Sequence, residues 1–399
     1  MNNNSTTYKD SPFGKIPGDC EMLEFGEYVE TEKGKYIPVD SENLRCLELE
    51  HFEQGTGHIL GWVNSSAQKS TKNKFKKGQV LFGKLRPYLR KYWLAEYDGV
   101  CSSEVWILNS KNEKCSNEFL FRIVQSNRFI QVANVSSGSK MPRADWDYVS
   151  TFPFPLPPLP EQKAIARLLS TWDEAISKTQ ALIAQKEQRK KWLMQNLLTG
   201  KKRLKGFEKT KWHLKSLEEV AEFKNGKAHE NAINENGKFI VVNSKFISTE
   251  SEVFKCSNEN LCPLYMDDIV MVMSDIPNGK ALAKCFYINE NEKYTLNQRI
   301  CSIKAFENTD SKFLFYILNR NVHFLSFDNG VGQTNLRKEE VLECPLIMPE
   351  KEEQTAIAQV LQTVDKGIQL LKTRTEKLRE QKKGLMQVLL TGKKRVKIM

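Results

Sequence analysis

One seven-residue string occurs twice in this chain of 399 residues, and that repeat constrains the fold more than any other feature. The string LLTGKKR occupies Leu197–Arg203 and recurs at Leu389–Arg395, 192 residues later. The same offset relates EQKAIARLLSTWDEAI (Glu161–Ile176) to EQTAIAQVLQTVDKGI (Glu353–Ile368). A unit of this length is far too long for a solenoid repeat, so the sequence predicts a duplicated arrangement of whole domains.

Each repeat unit ends in a predicted long helix. Apolar residues recur every seven positions from Ile357 to Leu385 in the second copy, and the corresponding series of apolar residues starts at Ile165 in the first. A sustained heptad pattern predicts a seam for a second helix. The two predicted helices keep matching ends, with a proline before each start and Thr-Gly after each end, whereas the 13 positions 177–189 contain no identity with their counterparts. The middle therefore needs only to be helical, while the ends need particular side chains.

Chain connectivity predicts how the two helices pair. The segment 206–348 is long enough for one compact domain, whose termini usually lie close together. The end of the first helix should therefore lie near the start of the second, and the pair should be antiparallel. The predicted fold class is α+β, with two mixed α/β domains separated by a long antiparallel two-helix coiled coil and a pseudo-two-fold internal duplication. The predicted segments are a first domain at 1–155, a first helix at 156–205, a second domain at 206–347 and a second helix at 348–399.

Composition narrows the class of protein. The net charge of +11 favours an acidic partner, with nucleic acid ahead of a membrane. No apolar run approaches the ~20 residues of a membrane span, and the polar start lacks the order of a signal peptide, so we expect a cytoplasmic protein. The nine cysteines are scattered without CxxC pairs. They are expected to be reduced, mostly buried thiols and not metal ligands.

The two globular segments share a predicted order of elements. A β-hairpin at 79–97 and another at 268–288 are each followed by a further strand and an apolar helix. A glycine-containing loop follows, with Gly138 and Gly330 again 192 residues apart. A shared skeleton with divergent loops is expected of modules that read different targets.

Polar residues on these hairpins and loops are the candidate DNA contacts, because Arg, Lys, Gln and Asn are the side chains that grip phosphates or read base edges. In the first domain they are Lys84, Arg86, Tyr88, Arg90, Lys91, Lys140 and Arg143. In the second they are Ser274, Asn278, Lys280, Gln298, Arg299, Gln333, Asn335 and Arg337. The alternative for each residue is an ordinary solvated hairpin. The sequence has no Walker loop, GxGxxG, nucleophile elbow or HExxH, so we predict a protein that reads its target without catalytic or metal sites of its own.

The duplicated order of variable domain and helix resembles the specificity subunit of type I restriction-modification enzymes. The residues that carry the resemblance are LPPLPEQKAIARLL, which opens the first helix, and LLTGKKR, which closes both. It covers essentially all of Ile16–Lys397 and implies that 12–155 and 208–347 are target recognition domains, each reading one half of a bipartite, asymmetric DNA site. The helices would space the half-sites and bind two modification (adenine methyltransferase) subunits, joined by restriction subunits with translocase and nuclease activity. S-adenosylmethionine, ATP and Mg²⁺ would be held by those partners, and this chain would hold no cofactor.

The repeated helix ends are the candidate partner-binding residues. They are Glu161, Gln162, Ile165, Leu197 and Leu198, with the counterparts Glu353, Gln354, Ile357, Leu389 and Leu390. The second helix start, LIMPEKEEQTAIA, is more acidic than the first, so docking strength could differ between the two ends. One alternative is a coiled-coil adaptor that joins two protein partners without specific DNA readout, and a weaker one is an enzyme with an unrecognised site. Salt-dependent DNA binding that requires both domains would favour the DNA-reading function.

Overall fold

A computed structural model describes most of the chain. The described residues are 7–11, 14–135, 141–276 and 279–396. The chain divides into two compact units, of which the first combines Met1–Gln180 with Thr373–Met399 and the second is Ala181–Lys372. Each unit therefore contains one globular domain together with parts of both long helices, whereas the division predicted from the sequence keeps domains and helices apart.

The first unit is built mainly from short strands. Its strands are β1 (Tyr8–Lys9), β2 (Ile16–Pro17), β3 (Glu21–Glu24), β4 (Val29–Glu32), β5 (Lys35–Tyr36), β6 (Arg45–Leu47), β7 (Val63–Asn64), β8 (Lys72–Phe75), β9 (Val80–Gly83), β10 (Tyr92–Leu94), β11 (Gly99–Ser102), β12 (Val105–Ser110) and β13 (Pro153–Leu156). Its helices are α1 (Phe25–Tyr28), α2 (Asn117–Gln125), α3 (Asn127–Ala133), α4 (Trp146–Ser150), the first part of α5 (Leu159–Leu197) and the last part of the second long helix, Lys351–Leu389.

Two sheets organise this unit. One has the strand order β10-β9-β12-β4 and the other β5-β8-β11-β6-β7, while β3 and β13 form a separate two-stranded ribbon. The helix α2 begins where the Ser116 hydroxyl accepts a hydrogen bond from Phe119 N–H, a favourable N-cap. Its apolar face packs into a core that also takes Ile165 from α5 and Leu389 from the C-terminal part of the chain. The long helices therefore belong to the hydrophobic core of the unit.

The second unit has a similar inventory. Its strands are β14 (His213–Ser216), β15 (Ala221–Asn225), β16 (Phe239–Val242), β17 (Lys255–Ser257), β18 (Ile269–Val272), β19 (Ser274–Asp275), β20 (Cys285–Tyr287), β21 (Tyr294–Leu296), β22 (Ile300–Ala305), β23 (Thr334–Asn335) and β24 (Pro345–Met348). Its helices are the end of α5, α6 (Ser244–Ser248), α7 (Ser311–Leu318), α8 (Val322–Leu325), α9 (Lys338–Leu342) and the first part of α10 (Lys351–Leu389).

The two units share a four-stranded sheet and a two-stranded ribbon, which confirms the duplication, whereas the other sheet has five strands in the first unit and three (β17-β16-β21) in the second. The sheet order β15-β22-β18-β20 repeats β4-β12-β9-β10, and the ribbon β14–β24 repeats β3–β13. The helix α10 begins and ends 192 residues after α5. Both predicted hairpins are present, with β10 antiparallel to β9 and β20 antiparallel to β18. The predicted apolar helices that follow are α2 and α7.

Ion pairs show that the helices run antiparallel within each unit. In the first unit α5 contributes Glu161 and then Asp173, whose partners are Arg395 and then Lys382. In the second unit Glu187 pairs with Lys372 at 3.2 Å, and Lys190 pairs with Asp365 at 2.6 Å. The partner number falls as the residue number rises, so the predicted antiparallel pairing is confirmed in both units.

Glycine ends both long helices as the sequence predicts. Gly200 and Gly392 adopt φ values of +69° and +70°, the left-handed conformation that commonly follows the last turn of a helix. All nine cysteines are free and eight are buried. Across the described ranges, no helix has both the length and the apolar character that crossing a bilayer requires.

Candidate nucleic-acid interface and helix-end clusters

The connection between β9 and β10 carries five of the predicted DNA contacts. It forms a short 3₁₀ turn at Pro87–Leu89, flanked by Arg86 and Arg90 with φ values of +51° and +53°. A left-handed backbone is uncommon for residues other than glycine, and such strained positions cluster at functional sites. Arg86 is exposed, and Tyr88 is half-exposed between the two arginines. These two side chains are the accessible part of the turn.

Arg90 and Lys91, at the end of this connection, form hydrogen bonds within the domain. Arg90 Nη2 donates to Asn127 Oδ1 at 2.6 Å, and Lys91 Nζ donates to the Leu49 carbonyl at 2.6 Å. Lys84 is half-buried next to the turn. Arg90 and Lys91 therefore brace the loop, and their predicted DNA contact stays a prediction.

The segment that contains Arg143 lies beside this turn. Leu85 and Arg143 form an antiparallel bridge, and Arg86 N–H donates to the Pro142 carbonyl at 2.8 Å. The Arg143 side chain is half-exposed and pairs with Glu104 at 3.0 Å. The structure thus brings the hairpin and the glycine-loop region together, although Lys140 itself lies outside the described residues.

The second unit repeats this arrangement with different chemistry. Ser274 in β19 pairs with Asn335 in β23, and Asn335 follows Arg143 by 192 residues. Ser274 Oγ donates to Asn335 Oδ1 at 2.6 Å, and the amide of Gln333 donates to Ser274 Oγ. The result is a hydroxyl-amide cluster, of which Gln333 and Asn335 are exposed.

The other predicted contacts of the second unit differ in their availability. Arg299 is exposed with φ of +68°, and its carbonyl accepts from Met273 N–H next to β19. Lys280 is exposed, whereas Gln298 donates to Glu230. Arg337 forms an ion pair with Glu340 at 2.6 Å, and this hydrogen bond raises the pKa of Arg337. Asn278 lies outside the described residues.

The repeated Glu residues at the helix starts are locked to the repeated Arg residues at the helix ends. Arg395 Nε lies 2.8 Å from both carboxylate oxygens of Glu161, and its Nη1 donates to Asp19 at 2.7 Å. Hydrogen bonds to Glu161 and then Asp19 raise the pKa of Arg395, and the bond from Arg395 lowers the pKa of Asp19. In the second unit Arg203 Nε donates to Glu353 at 2.7 Å. Each unit therefore contains the same Glu–Arg pair at its helix ends, and in the first unit the arginine also pairs with Asp19.

The repeated glutamines have a separate role. The Gln162 amide donates to the Pro157 carbonyl at 2.8 Å, and its Oε1 accepts from Ser116 N–H at 3.0 Å. Gln354 accepts in the same way from Asp310 N–H at 2.9 Å. Ser116 and Asp310 are the N-cap residues of α2 and α7. The glutamines therefore join the start of each long helix to the helix of the adjacent domain.

All ten predicted partner-binding residues are buried within this single chain, with exposed fractions between 0% and 9%. The four leucines and two isoleucines lie in the cores of the two units. Intramolecular packing and ion pairing therefore give these repeated residues a role within the chain itself. A role of these residues in binding partner subunits stays a prediction.

Sequence reasoning missed a second pair of ion pairs between the helices. Asp173 binds Lys382 and also Arg122, whose Nη1 lies 2.6 Å from the Asp173 carboxylate. The counterparts Asp365 and Lys190 also pair. At the 192-residue offset Asp173 aligns with Asp365 and Lys190 aligns with Lys382. This identity is the sequence signal from which the ion pairs could have been predicted.

Comparison with a family model finds two copies of one domain in the chain. The family model for the type I restriction modification DNA specificity domain matches residues 18–188 and 209–380. The chain therefore belongs to this family, and its function is sequence-specific DNA recognition within a type I restriction-modification system.

Individual relatives span the chain to different extents. A segment of 168 residues, 41% of this chain, is 32% identical to the type I restriction enzyme EcoDI specificity subunit of Escherichia coli, of which it covers 37%. The MjaVIII specificity subunit of Methanocaldococcus jannaschii is 26% identical over 96% of this chain and 95% of its own. The crystal structure of a type I restriction-modification S subunit from M. genitalium has a TM-score of 0.60 at 15% identity, covering 98% of both chains. The last comparison supports the fold alone.

Proposed function

We propose that this chain reads a bipartite, asymmetric DNA site, with one domain for each half-site, and holds two modification subunits. The observation that carries the proposal is that both units present the same pair of adjoining loops with different side chains. The bridge between Leu85 and Arg143 corresponds to the pairing of Ser274 with Asn335. A loop position that both units share, but with different side chains, is suited to reading two different half-sites.

The chemistry of the two loop pairs supports unequal half-sites. Arg86 and Arg143 offer guanidinium groups, which pair best with the N7 and O6 acceptors of guanine or with phosphates. Gln333 and Asn335 offer amides, which pair best with the N6 and N7 edge of adenine. Because the two sets prefer different base edges, the combined site is asymmetric.

The duplicated architecture supports two copies of one partner. A helix-end Glu–Arg pair and a cross-helix Asp–Lys pair occur in each unit, which supports one binding place for the same kind of partner in each unit. We propose that the partners are methyltransferase subunits, which supply S-adenosylmethionine and the adenine methylation, and that restriction subunits supply ATP- and Mg²⁺-dependent steps. This chain supplies no catalytic group, and the complex acts in the cytoplasm.

Mapping methylated sites in DNA from cells that produce this chain with its modification subunit tests the proposal. The expected result is one motif with two unequal halves at a fixed spacing. Arg86→Ala should alter only one half, and the matched variant Asn335→Ala should alter only the other. A complex that assembles stably without any defined motif would instead identify the chain as an adaptor.

A further inference from the structure

Arg45, in β6 of the first unit, lies over two aromatic rings, those of Tyr97 and Trp62, and the three residues are called the clamp below. Its guanidinium carbon lies 4.5 Å from the ring centroid of Tyr97 and 5.4 Å from that of Trp62. Stacking of this kind restrains the plane of the guanidinium while leaving its N–H edge available. Arg45 is exposed and Trp62 is half-exposed, so the clamp is on the surface.

The rings are themselves fixed by neighbouring elements. Tyr97 packs against Trp93 with centroids 4.9 Å apart and against Phe75 at 6.3 Å. Trp62 directly precedes β7, which pairs with β6 along the edge of the five-stranded sheet. The orientation of the guanidinium is therefore set by the folded domain and not by a flexible side chain alone.

Within the part of the chain that the structure describes, no acidic residue pairs with this arginine. Across the described residues, Arg45 forms no ion pair and its guanidinium donates no hydrogen bond. Glu96 lines the same surface depression of about 330 Å³ without forming an ion pair to it. A surface arginine usually either moves freely or pairs with a carboxylate, whereas this one keeps a fixed plane and free donors. That combination suits a ligand that offers two acceptors side by side.

The clamp adjoins the hairpin turn that carries the candidate DNA contacts. The segment between β6 and Trp62 is tied to that turn at Gly55, whose N–H donates to the Arg90 carbonyl at 3.0 Å and whose carbonyl accepts from Tyr92 Oη at 3.0 Å. A further tie joins Lys91 Nζ to the Leu49 carbonyl. The clamp and the turn therefore belong to one connected group of loops.

We infer that Arg45, clamped by Trp62 and Tyr97, reads a guanine in the half-site of the first domain by donating to its N7 and O6. Guanine presents these two acceptors side by side in the major groove, and bidentate pairing with arginine is the commonest specific base contact. The inference rests on the proposed function and names one of its specificity-determining residues. The sequence-based candidates did not include it, because Arg45, Trp62 and Tyr97 are far apart in the sequence.

Methylation mapping and binding measurements on the complex with the modification subunit test this inference. Arg45→Lys keeps the charge and removes the planar fork, so one guanine position of one half-site should lose about 10- to 100-fold of its discrimination. Trp62→Ala should relax the same position by a smaller factor, because the fork remains but is less fixed. The matched control is Lys74→Ala, which removes an exposed cation stacked on the single ring of Tyr36 in the same sheet. It should leave the motif unchanged.

Two outcomes would overturn the inference. A uniform loss of affinity for all sequences, with a shallower salt dependence in Arg45→Ala, would show a phosphate contact. An unchanged motif in Arg45→Lys, Arg45→Ala and Trp62→Ala would show that the clamp does not touch a base. Failure of the unaltered complex to methylate any defined motif would count against the proposed function itself. Thermal unfolding midpoints equal to that of the unaltered protein exclude misfolding of the variants. If Arg45→Ala unfolds, the motif of Trp62→Ala still shows whether the clamp contacts a base.

Discussion

Arg86 occupies a backbone position that glycine would adopt at lower cost. Its φ of +51° is left-handed, a conformation that costs an ordinary residue of the order of 1–2 kcal/mol relative to its preferred regions. The exposed side chain makes no hydrogen bond within the described part of the chain that could repay this cost. The strain is therefore consistent with a side chain retained for a ligand.

Arg86→Gly separates stability from DNA binding at this position. Glycine relieves the left-handed strain, so the free energy of unfolding should stay the same or rise by up to about 1 kcal/mol. DNA affinity should fall because the guanidinium is lost. The matched variant Arg90→Gly has the same backbone conformation but loses the hydrogen bond to Asn127, so it should unfold more easily. Chemical denaturation measures the effect on stability, and a salt titration of DNA binding measures the effect on affinity. Unchanged DNA affinity in Arg86→Gly would show that the Arg86 side chain is only solvated and does not contact DNA.

The buried carboxylate of Glu353 should make the second unit sensitive to the loss of Arg203. Glu353 is completely buried and also accepts hydrogen bonds from Thr210 and from Trp212 Nε1. Arg203→Ala leaves this carboxylate without its cation and should destabilise the second unit by about 3–5 kcal/mol. Adding Glu353→Gln should recover part of that loss, because it removes the unpaired buried charge. Denaturant unfolding of the two single variants and the double variant gives the coupling energy, and strictly additive losses would mean that the two residues do not act as a pair.

At the scale of elements, the ion pairs between the two long helices differ between the units. The aspartate of the first unit pairs with two cations, whereas the aspartate of the second unit pairs with one. Asp173 serves both Arg122 and Lys382, whose side chains are nearly buried. Asp365 serves Lys190, which is more exposed, and accepts from Tyr316 Oη at 2.7 Å. The desolvation of Lys382 lowers its pKa, as expected for a cation that depends on its partner.

Asp173→Asn should therefore destabilise the first unit more than Asp365→Asn destabilises the second. Removing the Asp173 charge leaves two largely buried cations without a counterion, and we expect a loss of about 3–5 kcal/mol. Asp365→Asn leaves one partly hydrated lysine and a neutral hydroxyl, so about 1–2 kcal/mol is expected. Hydrogen exchange resolved by unit distinguishes the two effects. Equal losses of stability in the two variants would show that the number and burial of a carboxylate's cation partners do not determine how much it stabilises its unit.

Local patterns predicted some elements and could not predict others. The heptad spacing and the Thr-Gly ends predicted α5 and α10, which lie inside the predicted segments 156–205 and 348–399, because helix formation depends on neighbours along the chain. The pairing of β3 with β13 and the parallel pairing of β6 with β11 join distant segments and leave no periodic signal. The burial of the helix ends was missed for a related reason. From the sequence alone their repeated residues resemble an exposed docking motif, because the segment of the same chain that buries them lies far away in the sequence.

At the scale of the whole molecule, the first unit is completed by the last part of the chain. Arg395 and Asp19 are 376 residues apart in the sequence and form an ion pair at 2.7 Å. Leu389 and Leu390 lie in the same core as Phe25 and Phe119. The N-terminal domain therefore reaches its final packing only when the C-terminal segment is available. The second unit has no such dependence, because its residues are continuous from Ala181 to Lys372.

Truncation after Lys372 should therefore unfold or loosen the N-terminal unit and leave the second unit folded. Each buried leucine contributes about 1.5–3 kcal/mol, and the truncation removes Leu389 and Leu390 together with the partner of Glu161. That sum is comparable to the whole stability of a typical domain, about 5–15 kcal/mol. Hydrogen exchange followed by proteolysis should show lost protection in β9 and β12 but retained protection in β18 and β22. A control truncated after Val396 keeps Arg395 and should behave as the full chain. Full protection of β9 and β12 in the shorter protein would show that the first unit folds without its C-terminal segment.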